Sequence, residues 1–379
     1  MKKQLDLQEI RKEIDQVDSQ LAQLMEERMG LSAQVAEYKM ETGMPVFDAE
    51  REKAKLSAVR AMAKTPFGEI ALEEMFKQMM TISRRYQYQK LGSFGKTAES
   101  RFHLVENLPT AGAKIVYQGV EGAYSHEAAL KVFGENAEVY HVPSWDDAMK
   151  EVESGRAAYA VLPIENSSAG AVIDNYDLLL KYNHYIVAET EITVNHALLG
   201  LPGTKLSEIK TVVSHPQALM QCSEFLSSHR QWKQIQAVNT AGAAKAVKEG
   251  GDQSVAAIAS PKAGEIYGLE VLEPSINHNK SNTTRFIVLS KEPVYRLEAK
   301  KVSICFEAPH VSGALYNMLG HFIYNHVNML MIQSRPILER NWEYRFFVDF
   351  EGSLRDGPVQ NALLGLENEA VRMRILGNY

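Results

Sequence analysis

An arginine stands where the surrounding pattern calls for a hydrocarbon. Ile10, Ile14, Val17, Leu21, Leu24, Leu31, Val35 and Tyr38 recur at steps of fours and threes, the period that lines one seam of a long helix. The seam position due after Leu24 is Arg28. A guanidinium keeps its proton, so in an apolar seam it needs an anion to meet it. Lys39 follows about three turns later and projects from nearly the same face, roughly 16 Å further along the axis. Asp48, Arg51 and Glu52 fall at i, i+3 and i+4 of a second helical stretch, and Ser83 and Gln87 are four apart on a third. Such a set can bind and orient an anion. Taken singly, Arg51 and Glu52 read as a solvated surface pair and Arg28 as a side chain reaching the rim of a coiled coil. The arginine's place inside the seam tips the reading toward a site.

The elements that carry these groups differ along the chain. From Leu7 to Met40 the pattern is helical, without Pro and with one Gly at position 30, which predicts a helix of roughly 50 Å. TGMP at 42–45 ends it, Asp48 opens a second helix to about Ala63, and TPFGEIALEEMFKQMMTISRRYQYQ reads as a third. Around LGSFGKTAES the periodicity fades into a linker. From KIVYQGV to RFIVLS, β-rich runs (AYAVLPI, YIVAETEI, IKTVVS, SVAAIAS) alternate with helical ones (SHEAALKVF, PQALMQCSEFL), which predicts a layered α/β domain with two lobes. The remainder reads strand KVSICFEA, helix GALYNMLGHFIYN, strand VNMLMIQSRP, strand YRFFVDFEG, helix PVQNALLGLENEAVRM, a βαββα order suited to a small α+β module.

The totals exclude several classes. With 379 residues the chain has room for two or three domains. The apolar share is 45%, the charged share 23% and the formal charge −6, so no global field draws it to nucleic acid or an anionic membrane, and an anion site must be local. The start, MKKQLDLQEIRKEID, lacks a signal-peptide core, and no apolar run is long enough to span a bilayer, so a cytoplasmic location is expected. Cys222 and Cys305 are far apart and read as core residues, not as a disulfide or metal site. His126, His196 and His215 make no metal-ligand spacing. No metal and no cofactor is expected.

The polar set Arg11, Arg28, Lys39, Asp48, Arg51, Glu52, Ser83 and Gln87 resembles that of the all-helical chorismate mutases, whose long first helix pairs with its twin in an intertwined dimer. The resemblance implies that Arg28, with Arg11 from the other subunit, holds the two carboxylates of chorismate, with Arg51 in support. It places Glu52 and the backbone at Asp48 on the ring hydroxyl, Ser83 near a carboxylate, and Lys39 with Gln87 on the ether oxygen. The rearrangement to prephenate needs positioning and stabilisation of charge growing on that oxygen, not a nucleophile.

GVEGAYSHEAA at 119–129, VLPIENSSAGAV at 161–172, SHPQALMQC at 214–222 and NTTRF at 282–286 resemble prephenate dehydratase, in that order. Val120 and Ala123 depart from its commonest motif, where Pro and Thr are frequent, so position 123 has no hydroxyl to offer. The resemblance implies Thr284 as hydrogen-bond donor to the departing hydroxide, Arg285 as carboxylate anchor and Phe286 as pocket wall. Ser125, Asn166, Ser167 and Asn282, together with Glu165, would line the pocket. SGALYNML and MIQSRP resemble the phenylalanine-binding ACT module. Gly313, Ala314 and Leu315 would offer backbone groups to the ligand carboxylate, and Gln333, Ser334, Arg335 and Pro336 would close the site across a dimer interface. Gln333 stands where that family usually has Glu.

Together these resemblances imply a bifunctional chorismate mutase/prephenate dehydratase (P-protein) with a C-terminal ACT module, converting chorismate to phenylpyruvate under L-phenylalanine inhibition, as a homodimer or homotetramer. The expected domains are an all-α mutase at 1–91, a linker at 92–112, a two-lobed dehydratase resembling periplasmic binding proteins at 113–290, and a ferredoxin-like ACT domain at 300–379. Two other readings stay open: a dehydratase with a non-catalytic helical dimerisation domain, and a small-molecule sensor without catalysis.

Overall fold

The computed structural model describes residues 6–92, 101–338 and 340–379, and the chain divides into two units: 1–102 with 300–375, and 103–299 with 376–379. Residues 93–100 of the stretch read as a linker lie outside the described residues.

The first unit begins with three helices. α1 (Leu7–Thr42) starts where the Asp6 side chain accepts from the Gln8 amide and stops at Gly43, whose φ of 71° is left-handed and cheap only for glycine. α2 (Ala49–Arg60) is capped by Asp48, whose carboxylate accepts from the Arg51 amide. α3 (Pro66–Gly92) packs against both and buries Met80, Thr81, Ser83, Arg84, Arg85, Gln87 and Tyr88 in its later turns. The seam predicted on α1 is bare within this chain: Ile14 is 52%, Leu24 61%, Leu31 55% and Tyr38 59% exposed. An apolar stripe that long requires a cover.

The second unit holds two large sheets and a short two-stranded one. The short strand β1 (His103–Val105) pairs with β13 (Val294–Arg296), so part of the stretch read as a linker is structured. The first sheet runs β6 (Tyr185–Thr193), β12 (Thr283–Ser290), β4 (Tyr159–Asn166), β2 (Lys114–Gln118), β3 (Glu138–Val142), with β5 (Gly170–Ala171) on β4. It carries α4 (Tyr124–Phe133), α5 (Trp145–Glu153) and α6 (Ile173–Lys181), and one core of Tyr117, Ala128, Ala129, Ile192, Phe286 and Val288. The second sheet runs β11 (Glu270–Glu273), β7 (Ala197–Gly200), β10 (Val255–Ala259), β8 (Thr211–Ser214), β9 (Lys233–Gln236). Its helices are α7 (Pro216–Gln221), α8 (Ser223–Ser227), α9 (Thr240–Gly250) and α10 (Pro261–Tyr267). PQALMQCSEFL, read as one helix, is two, broken at Cys222.

The chain passes between the sheets twice, after β6 and before β12, and Asn277 ties the two passages. Its Oδ1 accepts from the His196 amide at 3.0 Å and its Nδ2 donates to the Val194 carbonyl at 3.2 Å. The 119–123 loop of the first lobe rests on the start of α10 in the second. Ser260 Oγ donates to the Gly122 carbonyl, and a Cβ at Gly122 would sit 2.9 Å from Ala263 Cα, so this contact and a φ of 79° both require glycine.

The first unit closes with β14 (Lys301–Glu307), α11 (Ala314–Tyr324), β15 (Met329–Ile337), β16 (Arg340–Glu351), α12 (Gly357–Glu369) and β17 (Arg372–Asn378), in sheet order β15-β16-β14-β17. The sequence reading ran the last helix to Met373 and stopped at βαββα. Instead Ala370 turns extended, with ψ of 151°, and a last strand makes the order βαββαβ. α3 lies against α11 and α12: Tyr88 meets the edge of His321 at 5.9 Å and the Arg85 guanidinium lies 3.8 Å from the Tyr324 ring centroid. A side chain at Gly320 would run into that guanidinium. No helix among the described residues is long and apolar enough to cross a membrane.

Candidate functional site

The helices bring most of the predicted polar set together. From α1, Arg28 Nη1 donates to Ser83 Oγ and to the Met79 carbonyl on α3, while Ser83 donates to that same carbonyl at 2.8 Å. Lys39, near the end of α1, donates from Nζ to the Val46 carbonyl at 2.6 Å. Burial pushes Arg28 below the ordinary guanidinium range, against the field of Glu52. It pushes Lys39 down as well, with Arg51 adding to the effect and Asp48 and Glu52 opposing it. These groups therefore share one field. Gln87 is buried, and its Oε1 has no hydrogen-bond partner, a costly state unless something else enters the site.

Two members stand apart. Arg51 is exposed on α2. Arg11 is exposed and lies on α1 about 25 Å along the axis from Arg28, so within one chain it does not reach the cluster. A pocket of about 650 Å³ beside Glu52 is lined by Phe47, Leu56, Arg60, Glu73 and Val311 among others, and by none of Arg28, Lys39, Ser83 or Gln87.

Sequence reasoning missed Arg84. Its Nη1 donates to both oxygens of Glu52, at 2.5 and 2.6 Å, and its Nε donates to Glu369 Oε1 at 2.9 Å. Its guanidinium carbon lies 5.1 Å from the Phe47 ring centroid. Burial opposes the charge on Arg84, but Glu369 and Glu52 hold it above the ordinary range. Burial likewise opposes the Glu369 carboxylate, which His321 and Arg84 hold below its usual range. The only local signal was a pair of arginines in a largely apolar helix, since Glu369 is 285 residues away.

In the α/β unit the predicted residues converge at the ends of β4 and β12. Strand pairing sets Thr284 opposite Asn166. Asn166 Nδ2 donates to Thr284 Oγ1 at 2.9 Å and to Asn282 Oδ1 at 2.9 Å, and its Oδ1 accepts from the amides of Ser168 and Ala169. Ser167 and Thr283 exchange two bonds across the same junction. Because Thr284 Oγ1 accepts from Asn166, its own O–H is free to donate elsewhere, and no acceptor for it is found among the described residues. Asn282 is buried with Nδ2 unpartnered. Ser125, in the first turn of α4, donates to the Gln118 carbonyl at 2.6 Å. Phe286 lies in the core beneath, alongside Ala128 and Ala129 of α4.

Arg285 is not brought to this group. Side chains alternate along a strand, so 284 and 286 share one face and 285 takes the other. There Arg285 Nη2 donates to Glu165 at 3.2 Å and Nη1 to Glu189 at 3.3 Å. The expected carboxylate anchor thus faces away from Thr284, between two carboxylates of neighbouring strands. The histidines set aside from sequence have local partners. His126 accepts from the Gly122 amide, His196 contacts Gln221 and Tyr124, and His215 caps α7. No three-residue metal cluster occurs among the described residues, and Cys222 and Cys305 are free and buried.

In the last module Gly313, at a φ of 78°, precedes α11, which starts at Ala314 and Leu315 without a side-chain cap. Gln333, Ser334, Arg335 and Pro336 lie on β15, the edge of its sheet, opposite Phe347, Phe346, Arg345 and Tyr344. Gln333 Nε2 donates to the Ser334 carbonyl.

Family models match along the chain in the same order: chorismate mutase type II over residues 10–88 and prephenate dehydratase over 115–294. A bifunctional chorismate mutase/prephenate dehydratase of Enterobacter agglomerans is 33% identical over 98% of this chain and 95% of its own. Arogenate dehydratase/prephenate dehydratase 1 of Arabidopsis thaliana is 40% identical over 70% of this chain and 71% of its own length. The crystal structure of a prephenate dehydratase from Arthrobacter aurescens in complex with L-Phe superposes with a TM-score of 0.64 at 30% identity, covering 70% of this chain and 89% of that one.

Proposed function

The chain belongs to the bifunctional chorismate mutase/prephenate dehydratase family, and on that premise we propose which of its residues carry each reaction. It rearranges chorismate to prephenate, then decarboxylates and dehydrates prephenate to phenylpyruvate, consecutive steps of phenylalanine biosynthesis. The observation that carries the reading is that two separately folded polar clusters, around Arg28 and around Thr284, fall within the two family matches.

In the mutase pocket Arg28 holds a substrate carboxylate, with Ser83 beside it. Lys39 and Gln87 donate to the ether oxygen as the C–O bond stretches and charge builds there, an interaction stronger in the transition state than in the ground state. Glu52, with the backbone at Asp48, receives the ring hydroxyl, and Arg51 supports the clamp. Arg11 serves the pocket of a second copy, a reading supported by its distance from Arg28 and by the bare seam of α1, which a twin helix would cover.

In the dehydratase cleft, C–C cleavage releases CO2, the electron pair restores aromaticity, and hydroxide departs from the ring. Thr284 donates to that hydroxide. Asn166 holds the Thr284 oxygen from behind, while Asn282, Ser167 and Ser125 shape the polar wall and Phe286 underlies it. Arg285 anchors a carboxylate only if it leaves Glu165 and Glu189. The two lobes are read as the periplasmic-binding-protein layout, and the βαββαβ module as an ACT domain in which Gly313–Leu315 and Gln333–Pro336 take up L-phenylalanine and lower activity. The relative solved with L-Phe supports this effector. Domain limits of 1–91, 113–290 and 300–379, a dimeric or tetrameric assembly and a cytoplasmic location complete the reading.

The test is to incubate purified protein with chorismate and follow chorismate, prephenate and phenylpyruvate by chromatography. Enzyme-dependent phenylpyruvate is expected. Prephenate alone would remove the dehydratase, and unchanged chorismate with consumption of added prephenate would reduce the helical part to a dimeriser.

A further inference from the structure

The Arg84 guanidinium lies between two carboxylates that sit far apart in the chain, Glu52 of the helical segment and Glu369 at the end of α12. Arg84 and Glu369 are almost fully enclosed, with side-chain exposures of 8% and 7%, whereas Glu52 keeps 23%. Glu52 alone of the three therefore reaches open space. We propose that Arg84 is a positioning residue for Glu52, and that Glu369, by holding the other edge of the guanidinium, makes the last module part of the mutase's active geometry. The inference rests on the reading of Glu52 as the group that receives the substrate's ring hydroxyl.

The geometry supports this division of labour. Arg84 Nη1 spans both Glu52 oxygens while its Nε is committed to Glu369, so the planar fork has one orientation that satisfies both partners. Phe47 lies against the guanidinium, and Thr81 accepts from Nη2 at 3.2 Å, closing the remaining edge. His321 Nε2 of α11 lies 3.4 Å from the second oxygen of Glu369 and adds its field on that side of the carboxylate. Without Glu369 the guanidinium keeps Glu52 but loses what sets its angle. Without Arg84, Glu52 is free to swing into solvent.

The experiment measures chorismate kinetics and prephenate dehydration in the full-length protein for Glu369→Gln, Arg84→Gln and the double variant. The carboxylate-binding residues are untouched, so KM for chorismate is expected to stay near wild type. Mutase kcat falls about tenfold or more in Arg84→Gln, the scale of one charge-assisted hydrogen bond, and by a smaller factor in Glu369→Gln. Dehydratase kcat is unchanged, and the double variant is no slower than Arg84→Gln alone, because Glu369 acts through Arg84. Wild-type mutase kcat in a folded Glu369→Gln protein overturns the role of the last module. A rise in KM that matches the loss, or a parallel loss of dehydratase, makes the triad a structural tie and overturns the positioning role. Wild-type protein that does not turn over chorismate at all refutes the underlying mutase reading instead.

Discussion

Replacing Thr284 with Val keeps the side-chain shape and removes only the hydroxyl, and the structure gives separate magnitudes for its two consequences. On stability, Thr284 Oγ1 accepts one bond, from Asn166 Nδ2 at 2.9 Å. That nitrogen also reaches Asn282 Oδ1 at 2.9 Å and the Thr283 carbonyl at 3.3 Å, so Asn166 stays satisfied and the cost is about 1 kcal/mol. On catalysis, losing a preorganised donor to developing negative charge costs roughly 10²–10³ in kcat, about 2.7–4 kcal/mol. The second effect exceeds the first, so they separate in one protein. Circular dichroism and thermal melting are expected to show a near-native fold. Phenylpyruvate formation at saturating prephenate falls at least about a hundredfold while mutase turnover is unchanged. Thr284→Ser, which restores a hydroxyl, recovers most of the rate. A Val variant within about threefold of wild type, under 1 kcal/mol, would refute the donor assignment.

Arg28→Ala removes the cation at the centre of the helical cluster; chorismate turnover is expected to fall by several orders of magnitude with prephenate dehydration intact, and loss of both in a folded protein contradicts two separate sites. Lys39 carries the positive charge that stabilises the ether oxygen only when protonated, and burial holds it below the ordinary lysine range, so mutase kcat/KM is expected to be level at neutral pH and to fall as pH rises through that lowered pKa. Lys39→Arg stays charged and should abolish this alkaline limb even if it slows the reaction. Leu24→Glu with Leu31→Glu places charge on the bare α1 seam; sedimentation is expected to show a smaller species with mutase activity lost and dehydratase retained, and an unchanged assembly would show that the seam is covered otherwise.

Where local chemistry decides the structure, the sequence was legible. The α1 period and its glycine stop placed that helix to within two residues and Asp48 marked the next, whereas the groups around Arg28 and Thr284, drawn from distant parts of the chain, were gathered by the family resemblance and not by spacing. β17 escaped because only two residues separate it from α12, with no turn signal between them, and pairing within the sheet makes its seven residues a strand. Arg285 is a different case, because the alternation of a strand already separates it from Thr284 and Phe286. Reading the three consecutive residues as one motif hid a rule that needs no structure.

Arg84 lies at the other extreme. Nothing local distinguishes it from Arg85, its neighbour in the same buried turn, yet Arg85 stacks on Tyr324 while Arg84 bridges Glu52 and Glu369. Which arginine takes which partner is settled only when α12 returns to α3 at the far end of the chain. Removing Glu369 leaves the buried Arg84 charge paired with Glu52 alone, in surroundings where burial already opposes it. Substitution at Glu369, far along the chain from every mutase residue, is therefore expected to be felt on α3 before it is felt anywhere in the dehydratase.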